Sequence, residues 1–242
     1  MFNASYVSLA NVVSLFNTLA VESNNISNLT TSGYKEVKII HEEFDINKNN
    51  VEQKLSYGID KATVIDHKDG AIDITNRQLD LALNGEGYFV VMTPLGERYR
   101  RSGKFQLNEE GTLVDENFYP VVGDDRQPIT IQPEDVSDIH IDNGGMIYAA
   151  GQELQALAIV TFDDLNALEL IGHGLYNSNT PPLISENFNL IQGALEKSNV
   201  SPIHGLTTLV NAQRGTELGV GFMNDIHNLS LHTIKTMVNI SK

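Results

Sequence analysis

The feature that most narrows what this chain can fold into is where its charges lie. Residues 1–32 carry a single charged side chain, Glu22, and residues 203–242 carry five: Arg214, Glu217, Asp225, Lys235 and Lys242. The formal net charge of −15 therefore rests almost wholly on the segment between them. A helix with one face in water normally carries its charges on that face. Both ends of this chain have helical periodicity without such a face. In the first, Phe2, Tyr6, Leu9, Val13, Phe16, Ala20, Ser23 and Ser27 fall alternately four and three apart, the repeat of about 3.5 residues that marks a coiled-coil seam. Val7, Ala10, Val12, Leu15 and Leu19 widen that stripe, and most of the rest is Asn, Ser and Thr. Neutral amides and hydroxyls can pair across an interface without stranding a charge, so the surface suits packing among many copies. The helix is expected to stop near Asn28, ahead of Gly33.

After Pro202 the helical pattern returns through Leu206, Leu209, Val210, Leu218, Phe222, Ile226 and Leu229. Gly215, Gly219 and Gly221 interrupt it, each costing about 1 kcal/mol relative to Ala in a helix interior, which predicts a weakened or kinked stretch there. Between about 35 and 200 the texture is of short alternating runs such as KATVI, GAIDI, GYFVVM, GKFQL and GMIYAA, punctuated by Gly, Asn and Asp. That pattern predicts an antiparallel β domain of roughly ten short strands, with Asn84-Gly85 and Asn143-Gly144 as hairpin turns. No helical run separates the strands, so a parallel βαβ sheet is not expected. The expected fold is α+β: long N- and C-terminal helices pairing as a coiled-coil-like bundle, with a mainly antiparallel β domain inserted between them. The expected division is 1–32 plus 203–242 as a helical assembly domain and 33–202 as a β-rich middle domain.

Charge and composition also limit function. An acidic chain repels phosphate backbones and anionic lipid, so neither nucleic acid nor membrane insertion is expected. Without cysteine there are no disulfides and no thiolate chemistry. The N-terminus lacks the basic start and long apolar run of a cleaved secretion signal, and no stretch approaches the roughly 18 apolar residues of a membrane span. Export, if it occurs, is expected by another route. The seven histidines show no metal spacing, and Gly85-Glu86-Gly87 is a lone GxG without a following helix. Ser102-Gly103-Lys104 lacks the first glycine of a phosphate loop. Asp124-Asp125 and Asp163-Asp164 fit no calcium loop and are expected to be solvated loop carboxylates. No catalytic, cofactor or metal site is expected.

Three motifs carry a resemblance. Ser23-Asn24-Asn25-Ile26-Ser27-Asn28-Leu29-Thr30-Thr31-Ser32-Gly33-Tyr34-Lys35 resembles the N-terminal signature of the flagellar rod-and-hook axial proteins. The run from Leu79 through Gly85, Gly87 and Phe89, then Gly103-Lys104-Phe105 and Gly111-Thr112-Leu113, resembles the β domain of that family. Gly193-Ala194-Leu195-Glu196-Lys197-Ser198-Asn199-Val200-Ser201-Pro202, followed by Gln213-Arg214 and Glu217, resembles its C-terminal signature. The length resembles that of the proximal or distal rod proteins, and the Tyr6-Val7 start and Ser201-Pro202 lean towards the proximal-rod branch, with the distal rod second. Departures are Arg100 in place of Thr, Phe118 in place of Gly, and Gly215-Thr216 where an aromatic usually precedes the glutamate.

The resemblance implies export through the flagellar type III apparatus, assembly with copies of itself and with other rod proteins into a torque-transmitting periplasmic tube, and no enzymatic activity. On this reading Leu9, Val13, Phe16 and Ala20 are expected to pack against Leu206, Val210, Leu218 and neighbouring copies, with Phe222 in the same assembly interface. Asn24, Asn25 and Asn28 are assigned to helix termination and intersubunit hydrogen bonds, and Gln213, Arg214 and Glu217 to the same interface. The alternatives are a soluble β-rich enzyme or ligand-binding protein whose helices pair with each other, and another axial component such as a hook-junction protein.

Overall fold

In the computed structural model, which describes residues 2–46, 55–132 and 139–240, helix α1 covers Phe2–Ser27 and helix α2 covers Pro202–Ile240. In chain order the strands between them are β1 (Val37–Ile46), β2 (Leu55–Ile65), β3 (Ile72–Ile74), β4 (Asp80–Gly85), β5 (Tyr88–Thr93), β6 (Gly96–Arg100), β7 (Gly103–Lys104), β8 (Gln106–Leu107), β9 (Leu113–Val114), β10 (Ile139–Ile141), β11 (Met146–Ala149), β12 (Gln152–Ala156), β13 (Ile159–Thr161), β14 (Leu168–Gly172), β15 (Leu175–Ser178), β16 (Leu183–Ile184), β17 (Phe188–Gln192) and β18 (Ala194–Glu196). The chain divides into two compact units, one of Met1–Ser27, Val37–Ile65 and Ser201–Lys242, the other of Asn28–Glu36 and Asp66–Val200.

The expected coiled-coil-like bundle of long helices is not what forms. The described residues hold two α-helices, and the unit containing them also contains the β1–β2 hairpin, whose strands pack on α1. The seam expected on α1 does not face α2 either, as described below. The hairpin pairs Val37 with Ile65 through Ile46 with Leu55, and its register shifts between Ile40 and His41. Sequence reading marked only the KATVI stretch of this hairpin. Its first arm, VKIIHEEFDI, carries three acidic residues that hide it from a composition-based strand search.

In the second unit, every pairing between described strands is antiparallel. A six-stranded sheet runs β14-β15-β6-β5-β13-β16, and a three-stranded sheet runs β17-β4-β7. Asn143-Gly144 does turn a hairpin: β10 pairs with β11, and Asp142 Oδ1 accepts from the amides of Gly144 and Met146 at 2.9 and 2.8 Å. Asn84-Gly85 does not. Gly85 stays paired with Phe188 of β17, and the chain leaves β4 for a strand of a different sheet. β4 is the reason this is stable: Asp80 to Leu83 are all buried, so the strand is covered on both faces. Leu81, Leu83, Phe89, Phe105, Leu113 and Leu190 belong to one apolar core, with Phe89 and Phe105 edge to face at 5.1 Å.

Between the end of α1 and β1 the chain turns at Asn28, where the Thr31 amide reaches the Asn28 carbonyl at 3.2 Å and the Thr31 hydroxyl its side-chain oxygen at 3.1 Å. Gly33 follows with φ of +66°, donates to the Glu196 carbonyl at 2.7 Å, and leaves no room for a Cβ, which would stand 2.5 Å from the Ser102 nitrogen. Both the left-handed backbone and the close approach demand glycine here.

Candidate functional site

The first unit has three faces along α1, and at roughly 100° per residue they are distinct. One faces α2. A Cβ added at Gly219 would lie 2.4 Å from Val12 Cγ2, one at Gly215 3.0 Å from Leu15 Cδ1, and one at Gly205 3.3 Å from Ile26 Cγ1. With Ala212 and Thr216, both buried, these glycines form a small-residue stripe on α2 that receives Val12, Leu15 and Ile26. Such a stripe brings two backbones close and gains dispersion contact over their whole length. The glycines expected to weaken α2 therefore have a packing reason, and the helix is continuous through 215–221. Thr216 returns its hydroxyl to the Ala212 carbonyl at 2.8 Å, so its burial strands no donor.

The second face of α1 carries the hairpin. Ser14 Oγ and Asn17 Nδ2 donate to the Asp60 carboxylate at 2.6 and 2.7 Å. Asn25, fully buried, clamps one residue at both ends: its Nδ2 donates to the Val37 carbonyl at 2.8 Å and its Oδ1 accepts the Val37 amide at 3.0 Å. Assigned on sequence to intersubunit bonds, the Asn25 amide is used inside the chain. Beside these contacts a cavity of about 270 Å³ is lined by Ala20, Val21, Ile39 and Ala62.

The third face is uncovered. Tyr6 (69%), Leu9 (44%), Val13 (50%) and Phe16 (54%) are exposed on α1, and Leu206 (52%), Val210 (42%), Leu218 (76%) and Phe222 (50%) on α2. Ala20, Asn24, Gln213, Arg214 and Glu217 are exposed too, while Asn28 is half-buried; Gln213 Nε2 approaches Glu217 Oε1 at 3.3 Å. Of the expectation that Leu9, Val13, Phe16 and Ala20 pack against Leu206, Val210, Leu218 and neighbouring copies, the part within one chain is corrected: Val12, Leu15 and Ile26 of α1 meet the glycines of α2, and the expected residues stay largely exposed.

The motif residues of the second unit converge on a buried ionic cluster. Glu196 Oε1 accepts from Lys35 Nζ and from the Gly70 amide, both at 2.7 Å, and its Oε2 accepts from Arg101 Nε at 2.5 Å. Arg101 also reaches Asp69 at 2.8 Å and the carbonyls of Gly87 and Leu83 at 2.6 and 3.0 Å. Burial pulls the Lys35 ammonium below the ordinary lysine range, an effect that Glu196 opposes. Asn199 extends the cluster: its Oδ1 accepts the Glu36 amide at 2.7 Å and its Nδ2 donates to the Asp66 and Lys68 carbonyls. Three segments distant in sequence, Tyr34–Glu36, Arg101 and Glu196–Asn199, are thus tied to one another. Sequence reading marks Glu196 and Asn199 as motif positions, holds Arg101 only within the run 99–105 and gives it no role, and misses Asp69, which nothing in its own neighbourhood distinguishes from a surface charge.

The other motif positions serve the backbone or the core. Gly85, Gly87, Gly111 and Gly193 have positive φ, Tyr34, Phe89, Phe105 and Val200 are buried, and Leu79, Leu195 and Ser198 are partly buried. Gly103 lies so near β4 that a Cβ would stand 2.0 Å from the Leu81 carbonyl oxygen. His67 Nδ1 lies 2.6 Å from the Tyr88 hydroxyl, and burial lowers its pKa. Among the described residues no group of His, Asp and Glu is placed to hold a metal ion, and no helix is long and apolar enough to cross a membrane.

Residues 82–149 match the family model described as the flagellar hook protein FlgE/F/G D1 domain. The chain is 30% identical to the flagellar basal-body rod protein FlgF of Caulobacter vibrioides over 100% of both chains. It is 25% identical to FlgF of Mesorhizobium japonicum over 98% of each, and 30% identical to the flagellar basal-body rod protein FlgG of Bacillus subtilis over 89% of this chain and 91% of the relative.

Proposed function

Since the chain belongs to the family of flagellar basal-body rod proteins, a structural subunit of the flagellar basal body and not an enzyme, we propose that it joins the rod through the uncovered faces of α1 and α2. The observation that carries this reading is the division of labour in the helical unit. Glycine, alanine and threonine on α2 satisfy α1, while Leu9, Val13, Phe16, Leu206, Val210, Leu218 and Phe222 remain in water. A soluble monomer gains nothing from that arrangement, because the exposed patch is an aggregation liability unless partners cover it. Covered by neighbouring copies and by other axial proteins in a contact that does not close on itself, it gives a helical tube. A rod of that kind transmits torque along its length. Export through the flagellar type III apparatus and a periplasmic position follow from the same reading. The likeness to FlgF spans this chain completely, which favours a proximal place in the rod.

The test uses Val13→Asp and Phe16→Asp in the full chain. Both side chains are about half exposed, so the burial lost costs about 1–1.5 kcal/mol, which a folded chain of ordinary stability withstands, and circular dichroism of each variant checks that it has folded. Assembly of the purified protein, followed by sedimentation, and swimming of a strain carrying the variant are both expected to be lost. Wild-type assembly and swimming in both variants would refute the reading.

A further inference from the structure

We propose that His67 is an acid-sensitive latch: its bond to Tyr88 holds segment 66–70 against the β unit, and gaining a proton releases that segment. The inference goes beyond the rod reading and does not depend on how the chain assembles. The segment matters because the buried ionic cluster takes several of its bonds from it. The Asp66 amide donates to the Glu36 carbonyl at 2.8 Å, and the Lys68 carbonyl accepts from Lys35 Nζ at 2.7 Å. Asp69 accepts from Arg101, and the Gly70 amide donates to Glu196. Asn199 Nδ2 donates to the carbonyls of both Asp66 and Lys68. At Gly70 the backbone lies so near Lys197 that a Cβ would stand 1.9 Å from the Lys197 carbonyl oxygen. If the segment lifts away, the cluster loses these partners together.

His67 ties this segment to β5. Its ring stands edge-on to that of Tyr88, with centroids 6.3 Å apart and Nδ1 2.6 Å from the hydroxyl. Tyr88 is itself buried, and Phe162 and Tyr176 fix its ring at 6.3 and 5.5 Å. Burial raises Tyr88 above the ordinary tyrosine range, so its hydroxyl keeps its proton. Among the described residues that proton has no acceptor but Nδ1, which assigns the proton of the neutral imidazole to Nε2. Nε2 is buried and faces the Leu165 carbonyl of a single 3-10 turn, Leu165–Ala167, without completing a hydrogen bond. A second proton on the ring turns Nδ1 from acceptor to donor, and the Tyr88 hydroxyl is left buried with nothing to bond. Charge acts in the same direction. Lys35, ahead of β1, and Arg101, after β6, both oppose a third cation, whereas Asp66 favours it. Glu196 of β18 and Asp69 are already shared between Lys35 and Arg101, and Asp164 of the 3-10 turn is taken by the Asn166 amide at 3.0 Å. Burial first, and these cations after it, hold the latched His67 below the ordinary 6.5. Above that pH neither the latched nor the released state carries the proton, and the latch is at full strength. As pH falls below it the released state gains the proton first, so opening is favoured.

Amide hydrogen exchange of the full-length protein measures the opening at the Asp66 and Gly70 amides. From about pH 7.5 to about pH 5 their protection, corrected for the intrinsic pH dependence of exchange, is expected to fall by about threefold or more. In His67→Gln the side-chain amide can accept from Tyr88 at one end and donate towards Leu165 at the other without titrating, so protection is expected to hold constant over that range. Tyr88→Phe keeps the packed ring and removes the hydroxyl that needs Nδ1 as its acceptor. The His67 imidazole, followed by nuclear magnetic resonance, is then expected to titrate at higher pH than in wild type. An equal loss of protection in wild type and His67→Gln overturns the proposal, and so does a His67 titration that Tyr88→Phe leaves in place. Where His67→Gln does not fold, the Tyr88→Phe comparison decides alone.

Discussion

Alanine at Gly219 and alanine at Gly221 are the same substitution two residues apart in one helix, and the structure assigns them opposite signs. On helix propensity alone each should stabilise by about 1 kcal/mol. At Gly221 nothing lies within 4 Å of the new Cβ, so a gain of about 0.5–1 kcal/mol is expected. At Gly219 the Cβ would stand 2.4 Å from Val12 Cγ2, against the roughly 3.5–4.0 Å at which two carbons attract. Val12 is 4% exposed and β-branched, with one favoured rotamer in a helix, so it cannot swing aside. The helices must part by about 1 Å or more along this stretch, and overpacking of that kind costs about 1–3 kcal/mol. After the propensity gain the net loss is about 1 kcal/mol, which places the two variants about 2 kcal/mol apart. Denaturant unfolding of the full chain followed by far-UV circular dichroism measures the difference as a shift in midpoint at unchanged slope. Combining Gly219→Ala with Val12→Ala should recover more than the sum of the single effects, since the pair is in direct contact. If both alanines stabilise alike, α1 and α2 do not approach through the glycine stripe and the argument for an uncovered outer face loses its basis.

Two further outcomes follow from the second unit. Glu196→Ala leaves Lys35 and Arg101 buried without their shared carboxylate, and breaking one partner of such a cluster costs about 3–5 kcal/mol; thermal unfolding within about 1 kcal/mol of wild type would contradict the geometry. The Tyr34, Tyr88, Tyr99 and Tyr176 hydroxyls are all raised above the ordinary 10.0, chiefly by burial. In the unfolded chain they lose protons first, so the stability they contribute is fully present below pH 10 and is lost as pH rises above it. Stability should therefore fall steeply above pH 10, with tyrosinate absorbance from these four appearing together with unfolding. Titration of all eight tyrosines near pH 10 in a chain with intact dichroism would refute this.

Much of the architecture was legible because it rests on local pattern. The near absence of charge in the ends marked both helices, and Asn143-Gly144 marked a true hairpin, since the side chain that closes it is one residue away at Asp142. What was not legible depended on distant partners. The heptad-like spacing of Leu9, Val13 and Phe16 shows that these residues share a face but not which neighbour takes it, and α2 uses the face of Val12 and Leu15 instead. Gly215 and Gly219 looked like breakers because a propensity scale knows nothing of a facing valine. Asn84-Gly85 failed as a hairpin because β17, a hundred residues on, holds Gly85 in a ladder. Arg101 resembles any surface arginine until Glu196 and Asp69 are brought beside it.

The tie between Lys35 and Glu196, 161 residues apart, also sets an order in time. A chain emerging from the ribosome has no antiparallel partner for β3 until β18 exists, and none for the Leu83 side of β4 until β17 exists. Lys35 and Arg101 have no carboxylate at position 196 to bury against until then. Closing so long a loop is slow, and its return in contacts arrives last. The β unit therefore cannot lock until nearly the whole chain has been made, so a chain cut anywhere before Glu196 leaves its ladders and its buried cations without partners.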